Sequence, residues 1–80
     1  MIILGIETSC DETAVSIVEA EGGLEDLNFK LLGSVIHSQI EIHKQYGGVF
    51  PALAKREHIK NLPIVLEETL KKANFELNKI

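Results

Sequence analysis

One cysteine, no tryptophan, one tyrosine and two prolines occur among the 80 residues, and no apolar run exceeds four. A single thiol closes no disulfide within the chain. One Cys and three unevenly spaced His likewise assemble no four-ligand zinc pattern, so a reducing compartment is the simplest setting. Four apolar residues fall far short of the roughly 20 that cross a bilayer. The opening Met-Ile-Ile-Leu-Gly-Ile-Glu has no basic segment and meets a carboxylate at Glu7, so it does not read as a secretory signal. The expected location is the cytoplasm, with no membrane partner. Basic charge is also scarce. The 8 Lys+Arg stand against 12 Asp+Glu for a net −4, and only Lys30 and Lys44 fall within residues 1–50. Lys55, Arg56 and Lys60, on the more basic C-terminal third, read as a solvated helix face rather than a nucleic-acid footprint.

What is present is globular. Hydrophobic residues make up 45% of the chain and mean hydropathy is +0.11, enough for one modest core and too little for a second domain. Residues 2–7 are apolar and end on a polar cluster, the pattern of a buried strand meeting a tight loop. A second strand is expected over 13–20, forming a hairpin with the first, and a third over 29–37 after the φ-permissive Glu21-Gly22-Gly23. Residues 38–45 have weak helical character and stop at Tyr46-Gly47-Gly48, a segment open to two readings, a plain helix-start loop or a backbone approach site for a ligand. From Pro51 to Asn74 the apolar stripe Leu53, Ala54, His58, Leu62, Val65, Leu66, Thr69, Leu70, Ala73 predicts a long helix, with a kink or opened turn near Ile59 to Leu62 because of Pro63. Residues 74–80 resemble a helix exit approaching another strand, so the sequence reads as cut rather than finished. Three strands and one helix make an α/β segment, α+β taken alone, in which the helix covers one sheet face and the other needs further protein.

Residues 7–13, Glu-Thr-Ser-Cys-Asp-Glu-Thr, carry more chemistry than a turn requires: three hydroxyls, a thiol and three carboxylates. Backbone amides in such a turn can cradle an anion, with Thr8, Ser9 and Thr13 adding donors. Asp11 and Glu12 would repel bare phosphate and suit a metal-phosphate assembly or the orienting of an amine, hydroxyl or water. A polar hairpin turn with an Asx-type bond from Asp11 accounts for the same residues. The neighbouring acids disfavour a Cys10 thiolate and so argue against a nucleophile. His37, His43 and His58 form no metal-binding pair and read as capping, packing or loop-bonding groups.

Gly5-Ile-Glu-Thr-Ser-Cys-Asp-Glu-Thr13, His37-Ser-Gln39, His43, Tyr46-Gly-Gly-Val49, Pro51 and Leu53-Ala-Lys-Arg-Glu-His58 together resemble the N-terminal portion of the TsaD/Gcp family of tRNA adenosine threonylcarbamoyltransferases. The match runs over nearly the whole chain, and the order and spacing of separate motifs make it specific. It implies residues 1–80 as a partial N-terminal lobe of an actin-like ATPase (ribonuclease-H-like) fold, β-β-β-α, from proteins several times this length. The implied activity moves threonylcarbamoyl from threonylcarbamoyl-AMP to adenosine 37 of tRNAs reading ANN codons, with this segment inactive alone.

By the resemblance, Asp11 and Glu12 are the catalytic candidates, and Thr8, Ser9, Cys10 and Thr13 belong to the substrate or nucleotide loop. The family's one divalent metal, iron or zinc, takes its ligands from outside this chain, so no residue here is a metal ligand. The implied partners are tRNA, a smaller paralogous subunit packing on the 51–74 helix, and an ATPase accessory subunit. Ala52 departs from the acidic residue many relatives carry there. Two alternatives share the fold: a non-catalytic paralogous dimerisation subunit, against which the intact Cys10-Asp11-Glu12 run argues, and a generic actin-like ATPase lobe, which would normally show Asp-Gly where Glu7-Thr8 stands.

Overall fold

Three strands, β1 (Ile2–Glu7), β2 (Glu12–Glu21) and β3 (Asn28–Ser38), pair antiparallel in the order β1-β2-β3. The structure, a computed structural model, describes all 80 residues. β2 and β3 run past the limits that side-chain alternation indicates because their end residues pair, Glu12 with Ser38 and Glu21 with Asn28. Gly22 turns the chain at φ +91°, where a Cβ would stand 2.4 Å from the Asp26 carbonyl oxygen, so glycine is required there. A short helix α1 (Ile40–Lys44) follows β3, and the long helix α2 (Pro51–Ala73) follows the Tyr46–Phe50 segment.

Alternation decides which side chains meet α2. Val15 and Val35 sit opposite each other on one face and close on Val65 of α2, with Leu4, Leu62 and Leu66 packed around them. Ile17, fully buried, and Thr69 extend this core. At Gly33 the helix comes closest to the sheet: a Cβ there would lie 3.0 Å from the Ala73 amide nitrogen and 3.1 Å from the Thr69 carbonyl oxygen. α2 packs mainly over β2 and β3, and β1 reaches the core through Leu4 while forming one edge of the sheet. The opposite sheet face, with Ile3, Leu31 and Ile36, is exposed. The arrangement is the mixed α/β, β-β-β-α order that the resemblance implies.

α2 starts with Phe50 as its cap and Pro51 in the first turn, where the absent N–H costs nothing. It stops at Ala73 because Asn74 adopts φ +53° and the Phe75 amide bonds back to the Leu70 carbonyl at 3.0 Å. Pro63 does not interrupt it. Pro63 and Ile59 are both exposed, so the hydrogen bond lost at the Ile59 carbonyl falls on the side where water replaces it. After Asn74 the chain forms a single 3-10 turn, Leu77–Lys79, in place of a strand approach. Its Lys79 and Ile80 amides bond locally to Glu76 and Leu77 at 3.0 and 3.2 Å.

Candidate active-site loop and its buried support

The turn between β1 and β2 is shaped by its own side chains. Glu7, the last residue of β1, accepts hydrogen bonds from the Ser9 amide at 2.6 Å and from the Ser9 hydroxyl. Those two bonds, the hydroxyl's the stronger, hold the Glu7 carboxyl below its ordinary 4.5 and outweigh the opposing effect of desolvation. The anion cradle expected of this turn is thus engaged at Ser9 by the chain's own carboxylate. Cys10 then takes φ +53°, a left-handed conformation uncommon for a side chain with a Cβ.

That conformation is supported from beneath. His58, one of the half-buried residues of α2, donates from Nε2 to the Cys10 carbonyl at 3.1 Å, since a carbonyl only accepts. Its Nδ1 receives the Thr13 hydroxyl at 2.7 Å and faces Gln39 Nε2 at 3.4 Å. Gln39 also directs Nε2 at the Ala54 carbonyl (3.5 Å) and its backbone amide at the Asp11 carbonyl (2.6 Å). Its Oε1 meets His43 Nε2 at 2.6 Å, and His43 Nδ1 accepts the Phe50 amide at 3.0 Å. Thr13, Gln39 and His43 are 0%, 1% and 2% exposed, and no buried side-chain polar atom lacks a partner.

The candidate residues divide among four surroundings. Thr8 and Cys10 line an open, largely apolar groove of about 630 Å³ with Val49, Pro51, Ala54 and Ile59. Asp11 lines a neighbouring recess of about 320 Å³ with His43, Lys44, Gly48 and Val49. Val49 borders both hollows. Glu12 is exposed at the start of β2, and Ser9 is tied to Glu7. Thr13 is buried with its hydroxyl on His58, so it serves the turn from below rather than from its surface.

Sequence reasoning missed Gln39 and Glu7. The i,i+4 spacing of Gln39 and His43 into a short helical stretch was the available signal for the first; nothing in the sequence marks Glu7 as the partner of Ser9. His43 and His58 are loop-bonding groups, while His37 makes a part-exposed contact with Glu68 at 3.5 Å. The residues do not fit a metal ion. Both ring nitrogens of His43 and of His58 are already engaged, and no three His, Cys, Asp or Glu side chains converge. No helix is long and apolar enough to cross a membrane.

Residues 30–80 match the profile of the family described as tRNA N6-adenosine threonylcarbamoyltransferase. All 80 residues align at 51% identity with the protein of that name from Thermosipho melanesiensis and at 52% with that from Fusobacterium nucleatum, covering 22% and 21% of those proteins. The Bacillus thuringiensis protein of the same name aligns at 51% over 79 residues, again 21% of its length. The chain spans about a fifth of the relatives it matches. With a profile match over more than half the chain, it belongs to the tRNA N6-adenosine threonylcarbamoyltransferase family.

Proposed function

We propose that this chain supplies the cleft loop of a cytoplasmic enzyme that transfers threonylcarbamoyl from threonylcarbamoyl-AMP to the N6 amine of adenosine 37 in tRNA. In that reaction N6 attacks the carbamoyl carbon and a C–N bond forms. The C–O bond to the phosphate breaks, AMP leaves with the electron pair, and N6 releases a proton. Asp11, which lines its recess, orients the attacking amine, and Glu12, the next residue and exposed, helps receive the proton. Thr8 and Cys10 face the larger groove and present the turn's backbone to the acyl donor.

The fold reading is that of the first part of an actin-like lobe. The family resemblance assigns one divalent metal, iron or zinc, to other parts of the complete protein, and none of the residues here is proposed as its ligand. Ile64, exposed on α2 away from the groove that Ile59 lines, supports that helix as the packing site of a smaller paralogous subunit, with an ATPase subunit as a further partner.

The observation that carries this reading is identity near one half sustained over every residue of the chain. The test is a chimera in which the corresponding segment of the Thermosipho melanesiensis protein is replaced by these 80 residues, with tRNA nucleosides measured by mass spectrometry. The chimera should modify tRNA, and Asp11→Ala should lower its turnover by about a hundredfold. The 80 residues alone should transfer nothing. A folded chimera without activity, or one indifferent to both Asp11→Ala and Glu12→Ala, would overturn the assignment.

A further inference from the structure

Two loops border the same cleft, and one line of hydrogen bonds, buried at Gln39 and His43 and part-exposed at His58, joins them. The Phe50 amide can only donate, so His43 Nδ1 accepts, and in the neutral ring Nε2 carries the proton to Gln39 Oε1. Gln39 then turns its NH2 group toward His58 Nδ1, where the Thr13 hydroxyl also points, and His58 Nε2 carries its proton to the Cys10 carbonyl. Every donor in this line faces from Phe50 toward Cys10. Reversing either ring would set donor against donor or leave a carbonyl facing a lone pair.

Both ends of the line grip backbone rather than side chain. At one end is Phe50, the cap of α2, whose ring stacks on Tyr46 with centroids 5.3 Å apart. At the other is Cys10, whose left-handed backbone needs outside support. Gln39 reaches the turn by a second route, its own amide on the Asp11 carbonyl at 2.6 Å. At its buried middle, Gln39 and His43, no water takes over a broken contact, so movement of either loop leaves an unpaired group there that the rest of the line must answer.

We propose that His43, Gln39 and His58 are positioning residues that couple the Tyr46–Phe50 segment to the Thr8–Asp11 turn, each loop setting the conformation of the other. The coupling stands on geometry; its use in presenting Asp11 and Cys10 to substrate rests on the transferase reading. The test needs no turnover, so it stays decisive if that reading fails. In the 80-residue chain, 15N resonances of the imidazoles should show both rings protonated at Nε2. Protonation at Nδ1 in either would overturn the proposal, with no variant required. Cys10 is the only thiol and is exposed, so its rate of alkylation by iodoacetamide reports the turn. His43→Phe, which keeps a ring and touches no atom of Cys10, should change that rate several-fold and move the Cys10 and Asp11 amide resonances. Exposed Glu41→Gln on the same short helix should do neither. An unchanged Cys10 in folded His43→Phe would break the coupling.

Discussion

Around Gln39 every buried polar atom has a partner within the chain, whereas along β1 a row of backbone groups has none. Met1 and Ala20 exchange both main-chain bonds, at 3.0 and 2.8 Å, so residues 1, 3, 5 and 7 face β2 and the amides and carbonyls of Ile2, Leu4 and Ile6 face outward. The adjoining apolar surfaces are equally open: Ile6 at this edge, and Leu31 and Ile36 on the sheet face away from α2. The difference follows from how each kind of surface is satisfied. A polar corner closes when a few atoms reach bonding distance, and four side chains, Thr13, Gln39, His43 and His58, achieve that here with nearby backbone groups. An apolar face or a strand edge closes only when a whole further layer or strand arrives.

Two isoleucines on opposite sheet faces give the largest test of that contrast. Ile17 is 0% exposed beneath α2, and Ile36 is 59% exposed on the bare face. Ile17→Ala should cost about 2–5 kcal/mol, much of the roughly 4–12 kcal/mol an 80-residue domain commands. Ile36→Ala should stay within about 0.5 kcal/mol. Urea midpoints measure both, and comparable losses would mean that the outer face is already covered in solution.

The free edge gives the next effect. Two β1 strands set antiparallel about Leu4 would bring together the outward groups of Ile2, Leu4 and Ile6 in both copies. The 80-residue chain should therefore associate with rising concentration, as light scattering would show. Ile6→Lys should suppress this, because a charge on an edge strand opposes pairing. Association indifferent to Ile6→Lys would move the contact to the β3 edge or to the bare face of Leu31 and Ile36.

How much of this was legible follows the same division. Apolar patterning marked the three strands and the α2 stripe from Leu53 to Ala73, because that pattern is local and one strand or helix displays it by itself. The motif spacing brought out the Glu7–Thr13 turn. The support beneath it was not legible, since the contact between Thr13 and His58 spans 45 residues and exists only after α2 has folded back over β2. The end of α2 at Ala73 was within one residue of reach, but the 3-10 turn after it was not, because Phe75–Ile80 is too short for periodicity to separate a local turn from a strand.

The smallest predicted effect concerns the Glu7–Ser9 contact at the surface of the turn. Bonds from the Ser9 hydroxyl, and then from its amide, lower the Glu7 carboxyl below 4.5 in the folded chain, while the unfolded chain titrates near that value. Between the two values the unfolded state binds more protons, so stability rises with pH across that window. The contribution is complete above the unfolded value, is lost as pH falls through the folded one, and is absent below both. Ser9→Ala removes the larger cause and keeps the amide, so it should flatten part of the fall in urea midpoint on the acid side of 4.5 while leaving neutral pH nearly untouched. Glu7 is exposed, so salt should shrink the difference further. Ile17→Ala should instead lower the midpoint evenly across pH. A Ser9→Ala profile parallel to the wild type would show that solvent, not the turn, governs Glu7, and would confine the satisfied polar region to the buried atoms around Gln39.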